Sequence, residues 1–329
     1  MRAMKPRVFI TQPIAASAKA RLEAVANVTL NSDPLHIATK AELMNAARAN
    51  DIIFCLLHDK VDADVINVNA KLKAIASMTI TPADIDIAAA TARKLPVTTI
   101  PSALLDDATA DIAWALLLAV ARRVAEGDRL MRGGVFPGGQ SCYLEGGTVS
   151  GKTIGMIGMG GVGRASARRA QGFGMPTLYY DPQRLSAADE QKLDLTWTPL
   201  DELLARSDFV SIHARLTPHT RHLIGEREFG LMKPAAYLIN SARGPIVDEQ
   251  ALVRALKAKR IAGAGLDVFE NEPQPDAGLL KLPNVVVTPH VGSATSELRE
   301  AMANVAVDNV LAILDGRRAP DCWNAEIYN

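Results

Sequence analysis

The segment Ile154-Gly-Met-Ile157 runs into Gly158-Met-Gly160-Gly161-Val162-Gly163, and then into Arg164-Ala-Ser-Ala-Arg-Arg-Ala. A short apolar run, a G-x-G-x-x-G loop and a small-residue helix leave few folds open. That order opens a βαβ unit that receives a pyrophosphate. Gly158 permits the tight turn, Gly160 lets a phosphate approach the backbone, and Gly163 lets helix and strand pack closely. The helix start then offers N–H groups and partial positive charge to an anion. Taken alone, the pattern also describes an ordinary glycine-rich turn. Asp181 strengthens the dinucleotide reading, because it ends the next expected strand, 23 residues after Gly158. An acidic side chain there accepts hydrogen bonds from ribose hydroxyls and repels a 2′-phosphate, which favours NAD over NADP. The plainer reading of Asp181 is a turn residue before Pro182. Arg184 and Arg215 stand where they could offset the preference, so NADP stays open.

The rest of the chain is consistent with such a unit inside a larger protein. Its 329 residues are enough for two domains. Lys plus Arg and Asp plus Glu each number 36, so there is no basic excess of the kind nucleic-acid and anionic-membrane binders carry. The longest apolar run, Ile112 to Ala121, is shorter than the ~20 residues of a membrane span. No secretory signal is evident at the N-terminus. Cys55, Cys142 and Cys322 are far apart and in no metal-ligand spacing. A reducing, cytoplasmic compartment fits them, and no metal site is expected.

Apolar runs at Val8–Ile10, Ile52–Leu57, Leu72–Ala76 and Val97–Thr99 read as buried strands of a first α/β series. Thr39-Lys-Ala-Glu42 is a capping box, followed by the apolar face of Leu43, Ala46 and Ala47. A long helix, Asp106 to Arg123, precedes a second series. Its strands fall at Thr153–Ile157, Thr177–Tyr180, Phe209–Ile212, Tyr237–Ile239, Ala262–Leu266 and Val285–Thr288. Asp248 caps a helix whose Leu252, Ala255 and Leu256 share one face. The glycine-rich stretch Gly133 to Gly147 reads as an irregular loop, and the last helix spans about Thr295 to Leu314. Alternating strands and helices imply parallel sheets.

Three segments of the second series each carry one reactive residue at a strand end: Asn240-Ser-Ala-Arg243-Gly244, Asp267-Val-Phe-Glu-Asn-Glu272-Pro273 and Thr288-Pro-His290-Val-Gly292-Ser293. Open α/β sheets place ligands at those ends. Arg holds a carboxylate as a bidentate fork. His gives a proton to a carbonyl oxygen as hydride arrives, or takes it back in oxidation. Glu on the other imidazole nitrogen orients the ring and favours imidazolium. Singly, Arg243 also reads as a salt-bridge residue, Glu272 as a turn carboxylate and His290 as a packed histidine. The other five histidines lack this arrangement, and His213 reads as solvated or packed.

With Asp107-Ala-Thr109-Ala-Asp111, these motifs make the chain resemble the D-isomer-specific 2-hydroxyacid dehydrogenase family, especially its glyoxylate/hydroxypyruvate reductase-like members. The resemblance covers nearly the whole chain. It implies that Arg243 binds substrate, Glu272 pairs with His290, and His290 is the acid/base. It implies cofactor contacts from Thr109, Gly161, Val162, Asp181, Ser241, Ala242, Asp267 and Gly292. It also implies two Rossmann-like/flavodoxin-like doubly wound parallel-sheet α/β domains. The NAD-binding domain, residues 103–292, is inserted into a substrate domain of residues 1–102 and 293–329. The expected ligands are NAD(P) and a small 2-oxo or 2-hydroxy acid, and the expected assembly is a homodimer through the cofactor domain.

The substrate side departs from that family. Relatives commonly show S-x-G-x-G-x-D-x-I-D, whose backbone amides help hold the substrate carboxylate, whereas this chain reads Ser77-Met-Thr79-Ile-Thr81-Pro-Ala83-Asp-Ile-Asp86. Thr79 and Thr81 replace the glycines, Ala83 replaces an acid, and Pro82 restricts Thr81 to extended conformations. Leu57, Thr79 and Thr81 are the substrate-binding candidates, with threonine hydroxyls as alternative donors. Leu56 and His58 are further shapers of the pocket. Phe136-Pro-Gly-Gly-Gln140 stands where relatives often have a tryptophan loop, and Arg215 stands where they usually have proline. The altered loop motivates a rival reading, a non-enzymatic dinucleotide-sensing dimer that binds partner proteins. Intact Arg243, Glu272 and His290 argue against it, because a sensor needs none of them.

Overall fold

In a computed structural model the structure describes residues 4–82 and 84–329. The chain folds into two compact units, Met1–Leu104 with Ala294–Asn329, and Leu105–Ser293.

In the first unit the buried runs become β1 (Arg7–Ile10), β2 (Asn27–Leu30), β3 (Ile52–Cys55), β4 (Ala74–Ser77) and β5 (Val97–Thr98). All pairs are parallel, in the order β2-β1-β3-β4-β5. This is the flavodoxin-like order, with its switch point between β1 and β3. Every residue of β3 and β4 is buried, as expected of parallel strands covered on both faces. β3 ends two residues short of the Leu57 expected from its apolar run. The Leu56 N–H leaves the ladder to donate to Asp59 Oδ2 at 2.8 Å. The capping box forms, with Thr39 Oγ1 accepting from Glu42 N–H and Glu42 accepting from Thr39 N–H. Leu43, Ala46 and Ala47 then pack with Ile53, Val65 and Ile75. The final helix, Ser296–Leu314, is capped by Thr295 and packs on the helix Ala16–Val25.

The second unit holds β6 (Ile154–Ile157), β7 (Thr177–Tyr180), β8 (Leu195–Trp197), β9 (Phe209–Ile212), β10 (Tyr237–Asn240), β11 (Gly263–Leu266) and β12 (Val285–Val287). The parallel order is β12-β11-β10-β9-β6-β7-β8. The chain winds outward from β6 in one direction and, after β8, resumes at β9 on the other side. The ligand crevice of a Rossmann sheet lies at that reversal, outside the strand C-termini. The helix Asp106–Ala121 packs on β10, β11 and the helix Gly161–Gly172. Its Trp114 stacks on Phe173 with ring centroids 4.8 Å apart. Leu203, Phe229 and Leu252 fill the opposite face.

Two strands, β2 and β8, were not expected. Both are edge strands, and β2 is exposed at alternate residues, so neither carries a continuous apolar run. A helix, Val124–Arg132, precedes the irregular glycine stretch, and none of its residues is buried within the chain. Among the described residues no helix is long and apolar enough to cross a membrane.

Candidate active site

The second unit gathers the glycine loop at its switch point. Gly158 has φ +94°, and a Cβ there would lie 2.5 Å from Ala214 N, so only glycine fits this turn. Its N–H donates to Tyr180 O at 2.8 Å. Around Gly160 nothing lies within 4 Å of where a Cβ would sit, so one face of the loop is open to a ligand. Gly160 begins the helix Gly161–Gly172 without a side-chain cap, which leaves first-turn N–H groups for an anion. Asp181 follows β7 and accepts from Met159 N–H and from Gln183 N–H, both at 2.9 Å. It therefore ties the glycine loop to the turn after β7. Arg184 is committed elsewhere: its guanidinium pairs with Glu190 at 2.8 and 2.9 Å and lies over Trp197. That pairing, with the Tyr179 hydroxyl, pulls the Glu190 carboxyl down to about 2. Arg215 is exposed.

Two buried polar atoms beside this crevice have no hydrogen-bond partner among the described residues, Ser241 Oγ and His213 Nδ1. His213 follows β9 against the Gly158 turn, and its Nε2 meets Ser211 Oγ at 3.0 Å. Burial pushes its pKa down to about 4, so the ring is neutral at pH 7. An open glycine face, an uncapped helix start and orphaned buried polar atoms together fit a dinucleotide.

The three reactive residues follow β10, β11 and β12. Asn240 shapes the first loop, its Oδ1 accepting from Ala242 N–H at 3.0 Å and its Nδ2 donating to Arg243 O at 3.1 Å. At Gly244 a Cβ would collide with the Phe269 carbonyl, so glycine lets this loop pass against the one bearing Glu272. Arg243 is largely buried and donates to Ala242 O at 2.6 Å. Burial lowers its pKa from the ordinary guanidinium range, and the Glu272 charge opposes that shift.

Asp267 follows the last residue of β11 and holds the His290 loop. Its Oδ1 accepts from Thr288 Oγ1 at 2.5 Å and Val291 N–H at 2.8 Å, and its Oδ2 accepts from Gly292 N–H at 2.8 Å. Burial raises its pKa, and these donors oppose the rise. The resemblance implies a cofactor contact here, and in the structure the same carboxylate braces the His290 loop. The same bracing brings Thr109 close, since a Cβ on Gly292 would lie 3.2 Å from Asp267 Oδ2 and 3.7 Å from Thr109 Cγ2. His290 has φ +52°, a left-handed conformation uncommon for a side-chain-bearing residue, and its N–H donates to Asp267 O at 2.9 Å. Its Nδ1 meets Glu272 Oε2 at 2.7 Å, while Glu272 Oε1 accepts from Phe269 N–H at 2.9 Å. The carboxylate thus fixes the ring through Nδ1.

Glu249 is a supporting residue that sequence reasoning missed. It is buried, and its carboxylate accepts from Glu270 N–H at 2.9 Å and Asp276 N–H at 2.7 Å. It therefore anchors both sides of the loop that carries Glu272. In sequence it looks like an ordinary first-turn helix acid after Asp248. Asn240 lies within a quoted motif, but nothing in the sequence says which backbone groups it reaches.

In the first unit a small cleft at the ends of β3 and β4 is lined by Leu56, Leu57, Asp59, Ser77, Thr79 and Thr81. Buried Asp59 shapes one wall, accepting from Thr11 Oγ1 at 2.5 Å, Leu56 N–H at 2.8 Å and Ala38 N–H at 3.2 Å. On the other wall Thr79 Oγ1 donates to Thr81 O at 2.8 Å and lies 2.6 Å from Ser77 Oγ. Thr81 is exposed. Ala83 lies outside the described residues.

Comparison with known proteins places this arrangement in context. Residues 114–292 match the family model for the D-isomer specific 2-hydroxyacid dehydrogenase NAD binding domain. The chain is 43% identical over 328 residues to a glyoxylate reductase of Thermococcus litoralis, covering 98% of each chain. A solved Thermus thermophilus protein superimposes with TM-score 0.88 at 40% identity, over 96% of this chain and 99% of that one. A solved Polaromonas protein, described as a putative D-isomer specific 2-hydroxyacid dehydrogenase, gives TM-score 0.91 at 32% identity over 97% and 99%.

Proposed function

Because the chain belongs to the D-isomer specific 2-hydroxyacid dehydrogenase family of NAD(P)-dependent oxidoreductases, we propose that it reduces glyoxylate or hydroxypyruvate to the 2-hydroxy acid. The observation that carries this reading is the Glu272–His290 pair at 2.7 Å, braced by Asp267 beside Arg243. A nicotinamide dinucleotide, when bound, supplies the hydride. Gly158, Gly160, Gly161, Val162 and Gly163 would hold its pyrophosphate, with Thr109, Ser241, Ala242, Asp267 and Gly292 as further contacts. Asp181 meets the ribose, and its charge favours NAD over NADP. Arg243 binds the oxo-acid carboxylate as a two-pronged donor. His290, as imidazolium, donates its Nε2 proton to the carbonyl oxygen and recovers it in the reverse direction. Glu272 holds the ring and stabilises its positive charge.

On this reading the second unit is the cofactor domain and the first is the substrate domain. Leu57 and the main chain of Thr79–Thr81 supply substrate contacts. We also propose a homodimer through the helix Val124–Arg132 and the segment after it. That face exposes Val124, Met131, Val135 and Phe136, and light scattering at twice the 35.2 kDa chain mass checks it. A cytoplasmic location fits Cys55, Cys142 and Cys322, all free thiols. The reaction itself is tested by a panel of 2-oxo acids assayed with NADH and with NADPH. Turnover of glyoxylate or hydroxypyruvate supports the reading. Inactivity across the panel with both cofactors overturns it, and NADH-dependent capture of a partner protein without turnover would favour a sensing role.

A further inference from the structure

We propose that Ser77 and Thr79 form a hydroxyl lock, which fixes the main-chain donors of the Thr79–Thr81 loop for the substrate carboxylate where relatives rely on two glycines. The proposal rests on the oxo-acid reading above. The direction of the lock follows from proton counting. Thr79 Oγ1 carries one proton and donates it to Thr81 O at 2.8 Å, because a carbonyl only accepts. At 2.6 Å from Ser77 Oγ it must therefore be the acceptor, and Ser77 the donor. Both hydroxyl protons are spent inside the loop, so the side chain of Thr79 is a positioning group and not a donor to the ligand.

The main chain is what remains to bind. Met78 N–H donates to Cys55 O at 3.2 Å, and Ile85 N–H donates to Pro82 O at 3.1 Å. Between them, the N–H groups of Thr79, Ile80 and Thr81 make no hydrogen bond to any described residue. Thr79 and Thr81 line the cleft at the C-terminal end of β4, which makes their unpaired N–H groups the donors available there to a small carboxylate. Their geometry is held at several points. Ile100 N–H donates to Thr79 O at 3.0 Å, the relay ties Ser77 to Thr81, and Pro82 restricts Thr81 to extended backbone. Neither threonine has positive φ, so the freedom of glycine is not needed and β-branched side chains fit without strain. A donor set fixed before binding costs less ordering when the anion arrives. The lock therefore acts on substrate affinity and not on proton or hydride transfer.

The test uses the full-length protein with Thr79→Val, which keeps the shape and removes the hydroxyl, Thr79→Ser, which restores it, and Ser77→Ala. Glyoxylate kinetics, inhibition by oxalate as an unreactive small carboxylate, NADH binding by fluorescence and thermal melting are measured for each. Loss of the relay in Thr79→Val should raise KM and the oxalate inhibition constant about tenfold. Turnover should stay within about twofold and NADH affinity should not move, because the relay meets neither the hydride nor the proton. Thr79→Ser should return both constants to wild type, and Ser77→Ala should shift them in the same direction as Thr79→Val. Unmoved constants in a folded Thr79→Val, a loss confined to turnover, or failure of serine to restore binding would each overturn the lock. If Thr79→Val does not fold, Ser77→Ala decides in the same way. A wild-type protein inactive on every 2-oxo acid would defeat the substrate reading instead. Calorimetric titration of oxalate into the NADH-bound protein and its variants would then still decide the lock.

Discussion

Glu272→Gln isolates charge from geometry at the proposed acid/base. In the native site Glu272 Oε1 accepts from Phe269 N–H at 2.9 Å, and Oε2 faces His290 Nδ1 at 2.7 Å. Glutamine keeps the size and can keep the Phe269 bond through its carbonyl oxygen. Its amide then presents N–H to His290, which orients the ring but cannot stabilise an imidazolium. The His290 and Glu272 side chains are 22% and 16% exposed, so solvent screens the native pair only partly. A hydrogen bond to a charged group is worth about 1.5–3 kcal/mol. If that stabilisation belongs to the protonated state that performs reduction, turnover should fall roughly 10- to 150-fold. The assay is steady-state glyoxylate-dependent oxidation of NADH, with NADH affinity measured separately by fluorescence. NADH affinity should hold, because the glycine loop is untouched. Wild-type turnover in Glu272→Gln, or an equal loss of NADH affinity, would refute the assigned role.

Three further outcomes follow from other parts of the structure. Asp181→Asn removes a charge while keeping an acceptor for the glycine loop, so kcat/KM for NADPH should rise relative to NADH by at least about tenfold, a ratio that steady-state assays read directly. Asp267→Ala strips Thr288, Val291 and Gly292 of their acceptor, and should lower turnover by about a hundredfold or more and reduce the melting temperature; activity near wild type would show that the brace is dispensable. His213 is held near 4 by burial against an ordinary 6.5, so as pH falls the unfolded chain takes up its proton first. That contribution to stability is present above pH 6.5 and declines toward pH 4, by roughly 3 kcal/mol in full. Melting temperatures of His213→Gln and wild type, compared across that range, should show a shallower acid loss in the variant.

The parts of the fold that show plainly in the sequence are those buried on both faces. Ile52–Cys55 and Ile154–Ile157 are continuous apolar runs because parallel strands covered on both sides allow no polar face. Asn27–Leu30 and Leu195–Trp197 escape notice because edge strands are short and partly exposed. Arg243, Glu272 and His290 can be singled out because unusual residue types recur at strand ends. The supports behind them cannot, because a brace is defined by the backbone groups it meets. Asp267 can be assigned to a ligand on motif alone, but only the structure shows that its oxygens brace the His290 loop. Thr79 could be recognised as a hydroxyl donor, but only the three-dimensional neighbours show that its proton goes to Thr81.

The central claim is that His290 moves the proton in a nicotinamide-dependent reduction of a small 2-oxo acid. Its most direct test is the turnover of His290→Ala beside its dissociation constant for NADH. Removing a positioned general acid costs about 10²- to 10⁴-fold in rate, and NADH affinity should stay within about twofold of wild type. Turnover within about twofold of wild type, or parallel loss of turnover and NADH binding, would contradict the assignment.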